Sequence, residues 1–72
     1  GLYFENNQFD FLPSNIGLFT NLQYLYLNGN KFDSLPSNIG SLTNLLKLKL
    51  EHRHSNFVPD NLKYAVKEVR EY

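Results

Sequence analysis

The chain has no cysteine, no methionine and no tryptophan, and its seven basic residues are balanced by seven acidic ones. Without cysteine there is no disulfide framework and no thiolate zinc site. A net charge of zero gives no electrostatic case for a nucleic-acid partner. No run of about 18 apolar residues occurs, so no segment is expected to insert into a membrane. The chain as given opens with no signal-peptide pattern, but a mature secreted protein would have lost one, so the compartment stays open. Seventy-two residues make one domain, 1–72. A chain of this size buries only about 60% of its unfolded surface, so its stability is expected to be modest.

Two residue types are present in excess, leucine 13 times and asparagine 10 times. Asparagine forms neither helices nor strands well, so ten of them point to a regular use of the side-chain amide. Sliding the chain against itself shows why. With Leu2 placed on Leu25, Tyr3 falls on Tyr26, Asn7 on Asn30, Phe9 on Phe32 and Asp10 on Asp33. Leu12-Pro13-Ser14-Asn15-Ile16-Gly17 falls on an identical run from Leu35 to Gly40, and Thr20-Asn21-Leu22 on Thr43-Asn44-Leu45. Of 30 positions compared, 16 are identical. The units run over about 1–21, 22–44 and 45–59.

The alternation Leu25-x-Leu27 places both leucines on one side of a short strand. The next such alternation comes only at Leu48-x-Leu50, too far along for a hairpin. Successive strands are therefore predicted to pair in parallel, with the rest of each unit crossing back. Leu35, Ile39, Leu42 and Leu45 are spaced to fill the inside of that return. Pro36 fixes a turn, and Ser37 is a candidate cap for a short helical turn. Asn30 sits where the chain leaves the strand and can satisfy backbone groups that a bend leaves unpaired. Asn7 and Asn30 are predicted to stack as a ladder, with Phe9 and Phe32 as an aromatic spine beside it. Asn28-Gly29 also has the form of a hairpin turn, but its counterpart Glu5-Asn6 has no glycine.

The middle unit reads Leu22-x-x-Leu25-x-Leu27-x-x-Asn30-x-Phe32. It resembles the leucine-rich repeat family in its 23-residue form, with an LPxxIGxLTNL second half. Short bacterial members, including those of pathogenic spirochaetes, are similar, and the resemblance covers residues 2 to 62. It implies a short right-handed α/β solenoid with a parallel sheet of about three strands. It also implies a non-catalytic protein-binding role, since such repeats mostly act as binding scaffolds.

Beyond the third strand the pattern decays. Arg53 takes the ladder position and Ser55 the spine position, although Val58-Pro59-Asp60-Asn61-Leu62 stays in register with Leu12 to Ile16. Leu62, Ala65, Val66 and Val69 then fall at i, i+3, i+4 and i+7, and Asp60 follows Pro59 as an N-cap. Residues 60–72 are therefore predicted to form a C-terminal capping helix. At the other end, the strand from Leu2 to Glu5 would be a bare sheet edge beside an uncovered core. Either upstream chain or a second chain is expected to cover it. Leu2, Phe4 and Phe9 are thus candidates for self-association into a homo-oligomer, the alternative function.

The strand residues between the inward leucines form the leading candidate site, a concave face for a protein partner. They are Tyr3 and Glu5; Tyr24, Tyr26 and Asn28; and Lys47, Lys49 and Glu51. Tyrosine is enriched at interfaces because it offers a large contact at low entropic cost. Signs of catalysis are thin. His52 and His54 would share one side of an extended segment beside Glu51, but no third metal ligand can be named, so a polar turn is expected. Ser14, Ser37, Thr20 and Thr43 recur at repeat positions, which marks them as structural. Neither enzyme activity nor a cofactor or metal is expected.

Overall fold

The computed structural model describes all 72 residues. Four short strands form one parallel sheet in the order β1-β2-β3-β4: β1 Leu2–Tyr3, β2 Tyr24–Tyr26, β3 Lys47–Leu50 and β4 Glu68–Glu71. The fold is of the α/β class. The register follows the repeat. Leu2 pairs with Leu25 and Leu25 with Leu48, while Tyr3 pairs with Tyr26 and Tyr26 with Lys49. A pleated strand sends alternate side chains to opposite faces. Leu25, Leu27, Leu48 and Leu50 accordingly face inward, each without exposed surface.

The segments between the strands lie across the inner face. Each of the first two carries a 3₁₀ turn, at Ser14–Leu18 and Ser37–Ser41. Pro13 and Pro36 precede these turns with extended backbone, and their carbonyls accept the Ile16 and Ile39 N–H groups at 3.1 Å. Proline suits that position because its φ is fixed and no N–H is wanted there. Neither turn has a side-chain cap, so the capping role expected of Ser37 is not filled. Ile16, Leu35, Ile39, Leu42 and Leu45 point inward and join the strand leucines in one cluster of 14 buried apolar residues. Burying one such leucine or isoleucine side chain stabilises the fold by about 2 kcal/mol.

The asparagines supply much of the bonding between units. Asn38 and Asn44 donate through Nδ2 to the Ser14 and Thr20 carbonyls one unit before them, and Asn61 donates to the Gly40 carbonyl at 3.0 Å. Asn30 is buried and makes three bonds. Its Nδ2 donates to the carbonyls of Phe4 (2.7 Å) and Leu27 (3.1 Å), and its Oδ1 accepts the Phe9 N–H at 3.0 Å. The predicted ladder stops there. Asn7 is exposed and its amide turns back onto the Glu5 carbonyl at 3.1 Å. Two of Asn30's three partners, Phe4 and Phe9, lie in the unit before it, and Asn7 makes no such bonds in the edge unit of the sheet. The Phe9–Phe32 spine is also corrected. Phe32 is buried against His54, with ring centroids 5.7 Å apart, whereas Phe9 is largely exposed and meets Phe4 edge-on at 5.8 Å.

The C-terminal prediction is overturned. The helix α1 covers only Asp60–Ala65, with Pro59 rather than Asp60 in the cap position. Val66 is already extended, with φ −73° and ψ 137°, and the chain continues into β4. There Lys47 pairs with Glu68, Leu48 with Val69, Lys49 with Arg70 and Leu50 with Glu71. The physical reason is the free edge of β3, whose N–H and C=O groups find partners only if the chain returns as a strand. The Glu68 N–H donates to the Leu46 carbonyl and the Tyr72 N–H to the Leu50 carbonyl, both at 2.9 Å. The sheet therefore has four strands rather than about three.

Candidate functional site

With the leucines turned inward, the intervening strand residues form the outer face of the sheet. In-register pairing lines them up in rows across the strands. The central row is Tyr3, Tyr26, Lys49 and Arg70. On one side lie Tyr24, Lys47 and Glu68, paired across β2, β3 and β4. On the other side, one step further along the chain, come Glu5, Asn28, Glu51 and Tyr72. All eight residues predicted from the sequence lie on or beside this face. None is fully buried, and Tyr3 is 55% exposed.

The face is graded in chemistry. Its β1–β2 half is aromatic: the Tyr3 and Tyr26 rings meet edge-on at 4.8 Å, with Tyr24 beside them. The central row of its β3–β4 half, Lys49 and Arg70, is cationic. Lys49 Nζ lies 4.2 Å from the Tyr26 ring centroid, and the Arg70 guanidinium lies 5.2 Å from the Tyr72 ring. Both contacts are cation–π in kind. Lys47 is different. It forms an ion pair with Glu68 at 3.1 Å, and that hydrogen bond is the main cause that raises the Lys47 pKa above its ordinary value, with the Glu68 charge adding to it. Glu51 is engaged as well, its Oε2 accepting the Gly29 N–H at 3.2 Å. Lys49 and Arg70 are thus the two cations of the face without a carboxylate partner.

Glu68, Arg70 and Tyr72 were missed because 60–72 read as one helix. The signal was present. Val66-x-x-Val69 repeats Leu22-x-x-Leu25 and Leu45-x-x-Leu48, but the step from Leu48 to Val69 is slightly shorter than the step from Leu25 to Leu48.

The Glu51-to-His54 cluster does not assemble. His52 through Phe57 form a 3₁₀ turn, not an extended segment, so the two histidines part company. His52 is exposed, its Nδ1 lying 2.7 Å from Glu71 Oε1, whereas His54 is buried against Phe32 with both ring nitrogens unpartnered. His54 is therefore not part of a polar surface turn. The residues predicted for self-association lie together at the β1 edge. Leu2 and Phe4 pack partly against the core, and Phe4 and Phe9 line a groove of about 510 Å³ with Phe11, Leu12 and Pro13. No helix is long and apolar enough to cross a membrane.

No protein-family model matches the chain, and no curated protein or solved structure matches it.

Proposed function

We propose that the chain is a short leucine-rich-repeat-like solenoid that works as a non-catalytic protein-recognition module through its outer, concave sheet face. Supporting this reading are the regular repeat, the in-register parallel strands and the inward leucines. The observation that carries it is the central row. Its tyrosines stay accessible beside fully buried leucines, and its two cations have no carboxylate partner. Tyrosine and arginine are enriched where one protein binds another, although lysine is not. A peptide-display selection against the chain tests it. Clones that bind the native chain are expected to be lost against a Tyr24→Ala/Tyr26→Ala variant and kept against Ser14→Ala/Ser37→Ala on the return segments. The opposite dependence would remove the proposal.

A second reading, self-association at the β1 edge, is favoured by one separate observation. The first unit, which carries that edge, also exposes apolar side chains on its return segment, with Phe11 at 71%, Leu18 at 80% and Phe19 at 52%. Monomeric proteins seldom expose a contiguous apolar patch larger than a few hundred Å². A second copy would cover it by edge-to-edge pairing. Light scattering is expected to give the mass of two chains, reduced to one by Phe4→Asp. A single-chain mass for the native protein at tens of micromolar would exclude this reading.

A further inference from the structure

β1 has a neighbouring strand on one side only. The Phe4 and Asn6 N–H groups donate to the Tyr26 and Asn28 carbonyls at 2.8 and 2.9 Å. Strand alternation therefore turns the backbone groups of Tyr3 and Glu5 toward the open edge. The second unit shows how such an edge is covered, because β1 and the loop after it lie against β2. In that unit Asn30 reaches the Phe4 carbonyl and the Phe9 N–H, and Phe32 is buried. The matching groups of the first unit have closed on themselves. Asn7 donates to the Glu5 carbonyl of its own loop at 3.1 Å, and Phe9 stays exposed beside the 510 Å³ groove. Gln8 takes a left-handed φ of 59°, which its counterpart Lys31 does not. A long side chain adopts that backbone rarely, and its presence at a surface is a mark of a functional segment.

We infer that a partner of the outer face adds an extended segment to β1, parallel to it and patterned apolar-x-apolar-basic. This is strand addition to an open sheet edge. The inference rests on the reading of the outer face as the binding surface, because the added strand widens that face and lays its outward side chains beside Tyr3. Register assigns each position. Leu2 pairs with Leu25 and Tyr3 with Tyr26. An added strand in the same register sets its two apolar residues opposite Leu2 and Phe4, over the core and the groove. The second of them donates its N–H to the Tyr3 carbonyl, as Phe4 does to Tyr26. Asn7 turns to the carbonyl of that same residue, as Asn30 does to Phe4. The fourth residue stands opposite Glu5. No cation pairs with the Glu5 carboxylate, and residues 1–22 hold Glu5 and Asp10 but no lysine or arginine. A basic residue at that position completes a cross-strand ion pair like Lys47–Glu68. Charge makes a second copy the weaker occupant. Its β4 would bring Glu71 to the second apolar position, beside Asp10, and a second β1 would bring only further acids.

The probe is a short synthetic peptide with Leu-Ser-Leu-Lys at its centre and no other apolar residue, labelled and followed by fluorescence anisotropy with the full 72-residue chain. N-methylation of the second leucine removes the bond to Tyr3 and is expected to weaken binding on the order of tenfold. N-methylation of the serine, whose N–H points away from β1, is expected to leave binding unchanged. Exchanging the lysine for glutamate is expected to weaken it about threefold, and Glu5→Lys, confirmed as folded by thermal melting, to reverse that preference. Asn7→Ala is expected to weaken it about fivefold with the melting temperature unmoved. Where two copies pair at this edge, the peptide is expected to part them, so that light scattering falls to the mass of one chain. Absence of saturable binding overturns the inference, and so do equal effects of the two N-methyl groups. A two-chain mass that saturating peptide leaves unchanged assigns the edge to a second copy and overturns it as well. Tyr26-dependent display clones that bind unhindered beside the peptide overturn this inference while leaving the binding-face proposal standing. Clones indifferent to Tyr26 would remove both.

Discussion

At the residue scale, a few positions carry demands that their neighbours do not. Gly29 has φ +78°, and a Cβ there would approach the Asn6 backbone N to 2.8 Å. Its counterpart Asn6 adopts the same left-handed backbone at φ 60°, which asparagine tolerates better than most residues. Gly29→Ala is expected to destabilise the fold by about 1–3 kcal/mol, read from urea unfolding. Asn30→Ala would leave the Phe4 and Leu27 carbonyls and the Phe9 N–H without partners, a loss of about 2 kcal/mol or more. Asn7→Ala is expected to change stability by less than about 0.5 kcal/mol, so the two asparagines that align in sequence separate in the same experiment. His54 presents the reverse case. Its two unpartnered nitrogens face an apolar core beside Phe32. Phenylalanine there removes the orphaned polar atoms and keeps the ring contact. His54→Phe is expected to stabilise by about 1 kcal/mol, a melting temperature about 4–8 °C higher for a domain of this size.

At the scale of elements, the strands were legible and the last element was not. Leu25-x-Leu27 and its repeat in Leu48-x-Leu50 fix which face is inward, and equal spacing of the units dictates parallel pairing in register. Residues 60–72 satisfied two patterns at once. Leu62, Ala65, Val66 and Val69 have helical spacing, but Val66 and Val69 also match a fourth strand motif, in which Val66 is buried and Val69, paired with Leu48 at the sheet edge, stays 40% exposed. Periodicity within the segment could not decide between them, because the deciding partner is the free edge of β3, which lies outside the segment and meets it only in the folded chain. The shortened last interval, from Leu48 to Val69, hid the match. Backbone chemical shifts for 68–71 are expected to be strand-like; helical shifts through Tyr72 would contradict β4. The Lys47–Glu68 pair bridges β3 and β4. Because the Lys47 pKa is raised in the fold, its contribution to stability is present in full below the ordinary lysine value of 10.5 and is lost as the pH rises through the folded value. Both side chains meet solvent, so the effect is small. Melting temperature is therefore expected to fall slightly more for the native chain than for Glu68→Gln across this alkaline range.

At the scale of the whole molecule, the same register that buries the leucines gathers residues from four strands onto one outer wall. The eight candidate positions could be read from the sequence because seven of them lie beside a strand leucine and Glu5 lies beside Phe4, which stands where the next unit has Leu27. Arg70 and Tyr72 could not, since their place depends on β4. The chemical grading of the wall, tyrosines at one end and unpaired cations at the other, was invisible for the same reason. Without β4, Lys49 stands alone, and the cationic half of the proposed site does not exist. The most direct test is an NMR titration of the labelled chain with a peptide recovered from display selection. The amides of Tyr3, Tyr26, Lys49 and Arg70 are expected to shift together along a single binding curve, with those of the return segments unmoved. Shifts confined to the return segments, or to the groove around Phe9 and Phe11, would contradict recognition through the sheet.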